Sequence, residues 1–113
     1  MKAKELAALT ELARLRRTKT AARLAGIQAQ INVLEDRRGA LARVATAPPD
    51  SIDEAIMQDR WHRWRQQELA RLMTEIARLQ ARAQPFREDH AKNVARVGVA
   101  ERLPIRPRRA APD

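Results

Sequence analysis

Residues 47–54 have the sequence Ala47-Pro48-Pro49-Asp50-Ser51-Ile52-Asp53-Glu54, and this segment decides the fold. Neither proline can continue a helix, because each lacks an amide donor and its ring crowds the preceding turn. The residues that follow form a capping box. In this motif the Ser51 hydroxyl is expected to accept a hydrogen bond from the Glu54 amide. The Glu54 carboxylate is expected to accept one from the Ser51 amide. One helix therefore ends before the prolines, and a second begins directly after them.

Helix one is predicted from about Ala3 to about Ala45, a stretch without proline. Its apolar residues recur at alternating steps of three and four, which places them on one face that can supercoil around another helix. The predicted seam residues of helix one are Leu24, Ile27, Ile31, Leu34 and Leu41. From Leu6 to Leu15 the leucines are all spaced three residues apart, so their positions drift around the helix. This segment therefore has either two apolar edges or a different partner.

Helix two is predicted from about Ser51 to about Leu103, with the same alternation of steps. The predicted seam residues of helix two are Leu69, Leu72, Ile76, Leu79 and Phe86. His90 also falls on this seam, where a polar residue that sets the register is expected. Pro85 lies inside the helix and predicts either a kink near residues 81–84 or a split into two helices.

The connection predicted at residues 46–50 is short, so the two helices are expected to lie antiparallel. We therefore predict an all-α fold, an antiparallel two-helix coiled-coil hairpin that occupies residues 1–103. Folding about the prolines pairs Leu41 with Ile56, and Leu34 with the two tryptophans of helix two. Residues 104–113 contain three prolines and three arginines, and we predict that they form a disordered basic tail.

The composition argues against an enzyme. The chain has no cysteine and no tyrosine, and its single serine, Ser51, is assigned to the cap. Disulfides and thiolate metal sites are thereby excluded. His62 and His90 lie 28 residues apart on one helix, too far along its axis to share a metal. We expect no catalytic residue, metal or cofactor, and no membrane span, because no apolar run approaches about 20 residues.

The net charge of +9 arises from 23 basic and 14 acidic residues. Such an excess favours acidic partners, which include nucleic acid, anionic lipid and acidic protein surfaces. Charges of both signs are mixed along both helices, however, which is also typical of a solvated helix face. No known nucleic-acid-binding motif is present, so salt-dependent nucleic-acid binding is kept as an alternative to protein binding.

Residues 59–65, Asp-Arg-Trp-His-Arg-Trp-Arg, form the most distinctive segment. Tryptophan and arginine are over-represented at the energetic centres of protein interfaces. The two indoles share one face, where they either fill the seam near the turn or remain partly exposed for a partner. The candidate partner-binding residues near the turn are Arg37, Arg38, Arg60, Trp61, Arg63, Trp64 and Arg65.

Three stretches carry a family resemblance. The first, in helix one, contains Leu6-x-x-Leu9, Leu15-Arg16, Ala21-Ala22-Arg23-Leu24-Ala25, Gln28-Ala29-Gln30-Ile31 and Leu34-Glu35-x-x-Arg38. The other two, in helix two, contain Trp64-Arg65-x-x-Glu68-Leu69-x-x-Leu72 with Glu75-Ile76-Ala77-x-Leu79, and Ala91-Lys92-x-x-Ala95-Arg96 with Glu101-Arg102-Leu103. The pattern resembles the stalk proteins of type III export systems, the flagellar FliJ family and its injectisome counterpart YscO. This chain is shorter than is usual for that family, and Pro85 stands where the family ordinarily has straight helix.

The resemblance implies a non-enzymatic stalk or escort protein in or on the pore of a hexameric secretion ATPase. Such a protein would help couple the ATPase to the export gate and would escort empty export chaperones. Its gate-facing surface would lie toward the turn, and its location would be cytoplasmic or peripheral at the inner face of the cell membrane. Two alternatives stay open, a basic nucleic-acid-associated protein and a structural or adaptor coiled coil. The latter includes a homo-oligomer that pairs two hairpins into a four-helix bundle.

Overall fold

The computed structural model describes residues 2–103, which form two long α-helices, α1 (Ala3–Ala42) and α2 (Ile52–Arg102). The helices pack against each other as an antiparallel pair, and residues 2–103 contain no β-strand. The predicted all-α helical hairpin is therefore confirmed. The predicted disordered tail, residues 104–113, lies outside the described residues.

The connection between the helices is longer than predicted, because α1 ends at Ala42 rather than near Ala45. The Arg43 amide still donates to the Gly39 carbonyl at 3.1 Å, after which no helical turn follows until α2. Two of the next residues, Val44 and Thr46, are β-branched and therefore weaker helix formers. The residue before the first proline is also biased away from helical geometry. These local preferences end α1 early and leave residues 43–51 as the connection.

The second helix is continuous from Ile52 to Arg102 and passes through Pro85. The predicted alternative of two separate helices is therefore not observed. Proline at this position cannot donate the hydrogen bond that other helical residues make. The residues on either side of it nevertheless keep helical geometry, and Ala83 is buried while Phe86 is half-buried.

The chain divides into two compact units. The turn unit comprises Gln28–Ala81, and the terminal unit comprises Met1–Ile27 together with Arg82–Asp113. In both units the predicted seam faces inward. Its buried members are Ile27, Ile31, Leu72 and Ile76, and its half-buried members are Leu24, Leu34, Leu41, Leu69, Leu79 and Phe86.

Within the turn unit, the helices pair in a different register from the predicted one. Leu41 and Leu72 line one groove, and Leu34 and Leu79 line another. The predicted pairing of Leu41 with Ile56 is therefore wrong, as is that of Leu34 with the tryptophans. The α2 residues that meet α1 lie about two heptads further along the chain.

The path of the connection explains this register. Gln58 Nε2 donates to the Ala47 carbonyl at 2.7 Å, so the connection runs back along the first turns of α2. Arg65 Nη2 donates to the Ala42 carbonyl at 3.0 Å, which places the end of α1 beside the fourth turn of α2. The first turns of α2 therefore lie beyond the end of α1. In the predicted register, by contrast, pairing begins at the prolines.

In the terminal unit, the core is built from small and medium apolar side chains. Val97 and Ala100 are buried. The Arg23 guanidinium lies 5.6 Å from the centre of the Phe86 ring, a cation–π contact between the helices. Arg14 forms an exposed ion pair with Glu101 at 3.2 Å, which contributes little to stability because it is solvated.

The same unit contains a polar layer between the helices. Thr20 is buried, His90 is half-buried, and Thr20 Oγ1 lies 2.9 Å from His90 Nδ1. The threonine hydroxyl is also 3.0 Å from the Arg17 carbonyl of the preceding turn. In the tautomer that carries a proton on Nδ1, the hydroxyl accepts from the histidine and donates to the carbonyl. A polar pair packed between two helices favours one register over its neighbours.

We expect Thr20→Val to lower the free energy of unfolding by about 1 kcal/mol, because the half-buried histidine loses its partner. Thr18→Val is the matched control. Its hydroxyl makes the same kind of bond to the preceding turn, to the Arg14 carbonyl at 3.0 Å, but is exposed. Urea denaturation followed by circular dichroism measures both variants. Equal losses in the two would show that the contact with His90 contributes nothing.

Candidate partner-binding surface

The first turn of α2 is fixed by the predicted capping residues. The Glu54 amide donates to Ser51 Oγ at 3.1 Å. The Glu54 carboxylate accepts from the Asp50 amide at 2.7 Å, not from the Ser51 amide as predicted. The glutamate side chain thus reaches one residue further, to the bend that leads into the helix. These bonds satisfy amides that the helix cannot pair internally and set where α2 begins.

Beyond the end of α1, the early turns of α2 carry a group of apolar side chains that we name the turn-end surface. Its members are Ile52, Ile56, Met57, Trp61 and Trp64. All are exposed except Trp61, which is half-buried, and the exposed fraction reaches 80% at Ile52 and 51% at Trp64. Met57, Trp61 and Trp64 share one helix face because they are spaced by four and three residues. The two isoleucines form a second, adjacent row.

The two tryptophans have different environments. The Arg65 guanidinium lies 5.5 Å from the centre of the Trp61 ring, and the His62 ring meets Trp61 edge-on at 5.3 Å. The same arginine binds the last carbonyl of α1, where its positive charge also suits the negative end of the helix dipole. Arg65 therefore closes the end of α1, and Trp61 packs against this arginine. Trp64 is the indole that remains available to a partner.

The other predicted arginines lie at the edges of this region. Arg60 is exposed and neighbours Ile56 and Trp64 on the helix surface. Arg63 is also exposed and forms an ion pair with Asp59 at 3.1 Å.

On α1, Arg38 is half-buried and forms an ion pair with Glu35 at 2.7 Å. The structure thus brings Arg60 and Arg63 to the turn-end surface, gives Arg65 a structural contact, and places Arg38 on the other helix.

A charged cluster adjoins the region. Arg37 and Arg71 line one groove with Glu68, and Arg71 bonds both Glu68 and Glu75. The hydrogen bond from Arg71 lowers the pKa of the Glu68 carboxyl. Partial desolvation opposes this shift, and the charges of Arg71 and Arg37 add to it. Because Arg71 is exposed, its ion pairs with the half-buried Glu68 and Glu75 contribute little to the stability of the fold.

This surface was only partly predicted from the sequence. The tryptophans and the arginines around them were candidates because of their residue types. Ile52, Ile56 and Met57 were missed as exposed residues because the predicted register had α1 beside this part of α2. No sequence feature reveals their exposure without the correct register.

No protein-family model, no curated protein and no solved structure matches this chain. The surface is therefore interpreted from its own geometry. Neither α1 nor α2 contains a stretch that is long and apolar enough to cross a membrane. Within residues 2–103, histidine, aspartate and glutamate side chains do not gather in groups of three that could hold a metal ion.

Proposed function

We propose that this protein is a non-enzymatic, protein-binding helical hairpin, a stalk or escort protein of a flagellar or type III export apparatus. The observation that carries the proposal is the turn-end surface, where Trp64 and three other apolar side chains are exposed together. An exposed apolar group of this kind, rimmed by charged residues, is typical of a site for another protein. Burying such side chains stabilises a complex by roughly 25 cal/mol for each Å² of apolar surface removed from water.

The charge of the turn unit supports a protein partner rather than nucleic acid at this surface. Residues 28–81 contain eight basic and eight acidic residues, so the unit has no net charge. A phosphate backbone is attracted by clustered positive charge and releases counterions on binding. A neutral unit with exposed apolar side chains binds instead through apolar contacts, which salt screens little.

The export apparatus enters the proposal through the family resemblance of helix one and helix two. In such a system the partners are a hexameric secretion ATPase and the export gate, and the protein acts at the cytoplasmic face of the membrane. The turn-end surface supplies the contact, with Trp64 as its apolar anchor and Arg60 and Arg63 at its edge. The protein contributes no catalytic group and acts on the hydrolysis rate of its partner.

The test is the hydrolysis rate of the cognate secretion ATPase with and without this protein, at about 150 mM salt, where loose surface attraction is largely screened. We expect stimulation that saturates well below one hairpin per ATPase subunit, because one stalk serves a whole ring. Replacing Ile56 and Trp64 together by alanine should raise the hairpin concentration that gives half-maximal stimulation at least about tenfold, while helicity is unchanged.

Met73→Ala is the matched control, because Met73 is a large apolar residue of the turn unit that is also 56% exposed but lies outside the turn-end surface. It should leave the stimulation unchanged. An adaptor protein would instead form a discrete oligomer and leave the ATPase rate unaffected. Absence of both stimulation and co-elution with the ATPase would rule out the export proposal.

A further inference from the structure

The terminal unit has an apolar groove between the helices. It has a volume of about 430 Å³, and its walls include Leu6, Leu9 and Leu12 of α1 and Val99 and Leu103 of α2. Leu9 is 49% exposed and Val99 is 55% exposed. The walls from α1 come from the stretch where the leucines are spaced three residues apart, so some of these leucines turn away from the seam. The groove is thus the second apolar edge that this spacing allows.

Two arginines stand at one end of this groove. Arg16 of α1 and Arg96 of α2 both line it, each about one turn from the nearest large apolar lining residue of its own helix, Leu12 and Val99 respectively. Because the helices are antiparallel, both positions fall at the same end of the groove, the end away from Leu6 and Leu103. Arg96 Nη1 donates to the Asn93 side-chain oxygen at 3.1 Å. No carboxylate within residues 2–103 pairs with Arg16 or Arg96.

Most of the excess positive charge of the protein lies in the described part of this unit. Residues 1–27 and 82–113 contain 15 of the 23 basic residues and 6 of the 14 acidic residues, which accounts for the whole net charge of +9. Residues 2–27 and 82–103 alone contain 12 basic and 5 acidic residues. The charge is therefore unevenly distributed, although both signs occur along both helices.

We infer that this groove binds an acidic amphipathic helix of another protein. The leucine and valine walls would bury the apolar stripe of such a helix, and a groove between two helices is the shape that a third helix fills. The walls from Leu6 to Arg16 extend about 15 Å, which corresponds to about three helical turns. Carboxylates beside the apolar stripe would meet Arg16 and Arg96, the lining arginines that have no acidic partner in the described chain.

Charge and shape disfavour the other occupants. A second copy of this unit would bring two strongly positive surfaces together, which opposes association. Nucleic acid would use the charge but not the apolar walls, because phosphate contacts come from basic and polar groups. A concave groove also presents its leucines to a narrow ligand rather than to a flat bilayer. The inference does not depend on the export proposal, which concerns the turn unit.

The test uses the full chain and three synthetic, fluorescently labelled helical peptides of about 15 residues. One peptide carries leucines on one face and glutamates beside them. The second replaces the glutamates by lysines, and the third replaces the leucines by alanines. Fluorescence anisotropy at about 150 mM salt measures their binding. We expect the leucine–glutamate peptide to bind at least about tenfold more tightly than either of the others.

Charge reversal at the groove then locates the site. In the double variant Arg16→Glu with Arg96→Glu, the leucine–glutamate peptide should lose at least about tenfold in affinity and the leucine–lysine peptide should gain. The matched control is Arg43→Glu with Arg78→Glu, which changes the net charge equally but alters exposed arginines of the turn unit. The control should bind the leucine–glutamate peptide as the wild type does.

Four outcomes would overturn the inference. The leucine–glutamate peptide fails to bind, or it binds no better than the other two peptides. Alternatively, both double variants lose equal affinity for it. Finally, the groove binds duplex DNA, phosphatidylglycerol vesicles or a second copy of the chain instead of the acidic helix. This outcome would appear as binding of one of these partners by the wild type that is lost in the Arg16→Glu, Arg96→Glu variant. Circular dichroism of each variant separates a lost site from a lost fold.

Discussion

Leu72→Ala should lower the free energy of unfolding by about 2–5 kcal/mol, the range for removing a buried leucine side chain and leaving a cavity. Leu72 is 2% exposed, the most buried large side chain of the turn unit. A small helical hairpin has little stability to lose, because small chains bury a limited share of their surface. We therefore expect a large unfolded fraction at room temperature, measured by circular dichroism during urea denaturation.

Met73→Ala provides the control for this prediction, since Met73 is the next residue and is exposed. Its effect should stay within about 0.5 kcal/mol, as expected for a surface side chain. If the two variants lose similar stability, Leu72 does not belong to the core that the structure describes.

A double-mutant cycle tests the register directly. Leu41 and Leu72 line the same groove, so Leu41→Ala and Leu72→Ala should show a coupling energy of at least about 0.5 kcal/mol. Leu41→Ala and Ile56→Ala should be additive, because Ile56 lies beyond the end of α1. The opposite result would restore the register that was predicted from the sequence.

The hairpin was predictable because the features that specify it are local. Two consecutive prolines end a helix wherever they occur, and the Ser51–Glu54 pair starts one within four residues. The alternating spacing of apolar residues marks the inward face of each helix without reference to the other. Ile27, Ile31, Leu72 and Ile76 were named from that spacing, and they are buried.

The register was not predictable from the same spacing, because a heptad pattern nearly superposes on itself after a shift of one or two heptads. Choosing between such registers requires the path of the connection, which depends on non-local contacts. Here Gln58 holds the connection along α2, and Arg65 binds the end of α1. The exposure of the turn-end surface is a consequence of this choice, so most of the surface could not be predicted either.

The two proposed surfaces differ in how far the sequence indicates them. The tryptophans of the turn-end surface are conspicuous in a chain with few aromatic residues. The terminal groove depends on how ordinary leucines and a valine are arranged, and on which residues share a compact unit. The charge imbalance emerges only when residues 1–27 are grouped with residues 82–113, because the two segments are far apart in the sequence.

Pro85→Ala should raise the free energy of unfolding by up to about 3 kcal/mol, the cost of proline relative to alanine in a helix interior. Pro85 is exposed and lies within a continuous helix, so alanine can adopt the same backbone geometry. The substitution restores an amide that can bond the Ala81 carbonyl and removes the ring that crowds this carbonyl. The urea midpoint should rise while the slope of the transition is unchanged.

Gln80→Ala is the control, because it is exposed on the same helix and exchanges one good helix former for another. Its effect should be within about 0.5 kcal/mol. A gain confined to Pro85→Ala would show that proline weakens α2 without shaping the packing around it. A lower free energy of unfolding in Pro85→Ala would show instead that proline shapes the packing around it. Buried Ala83 and half-buried Phe86 would then depend on a backbone distortion that proline supplies, and the terminal unit would owe its packing to that residue.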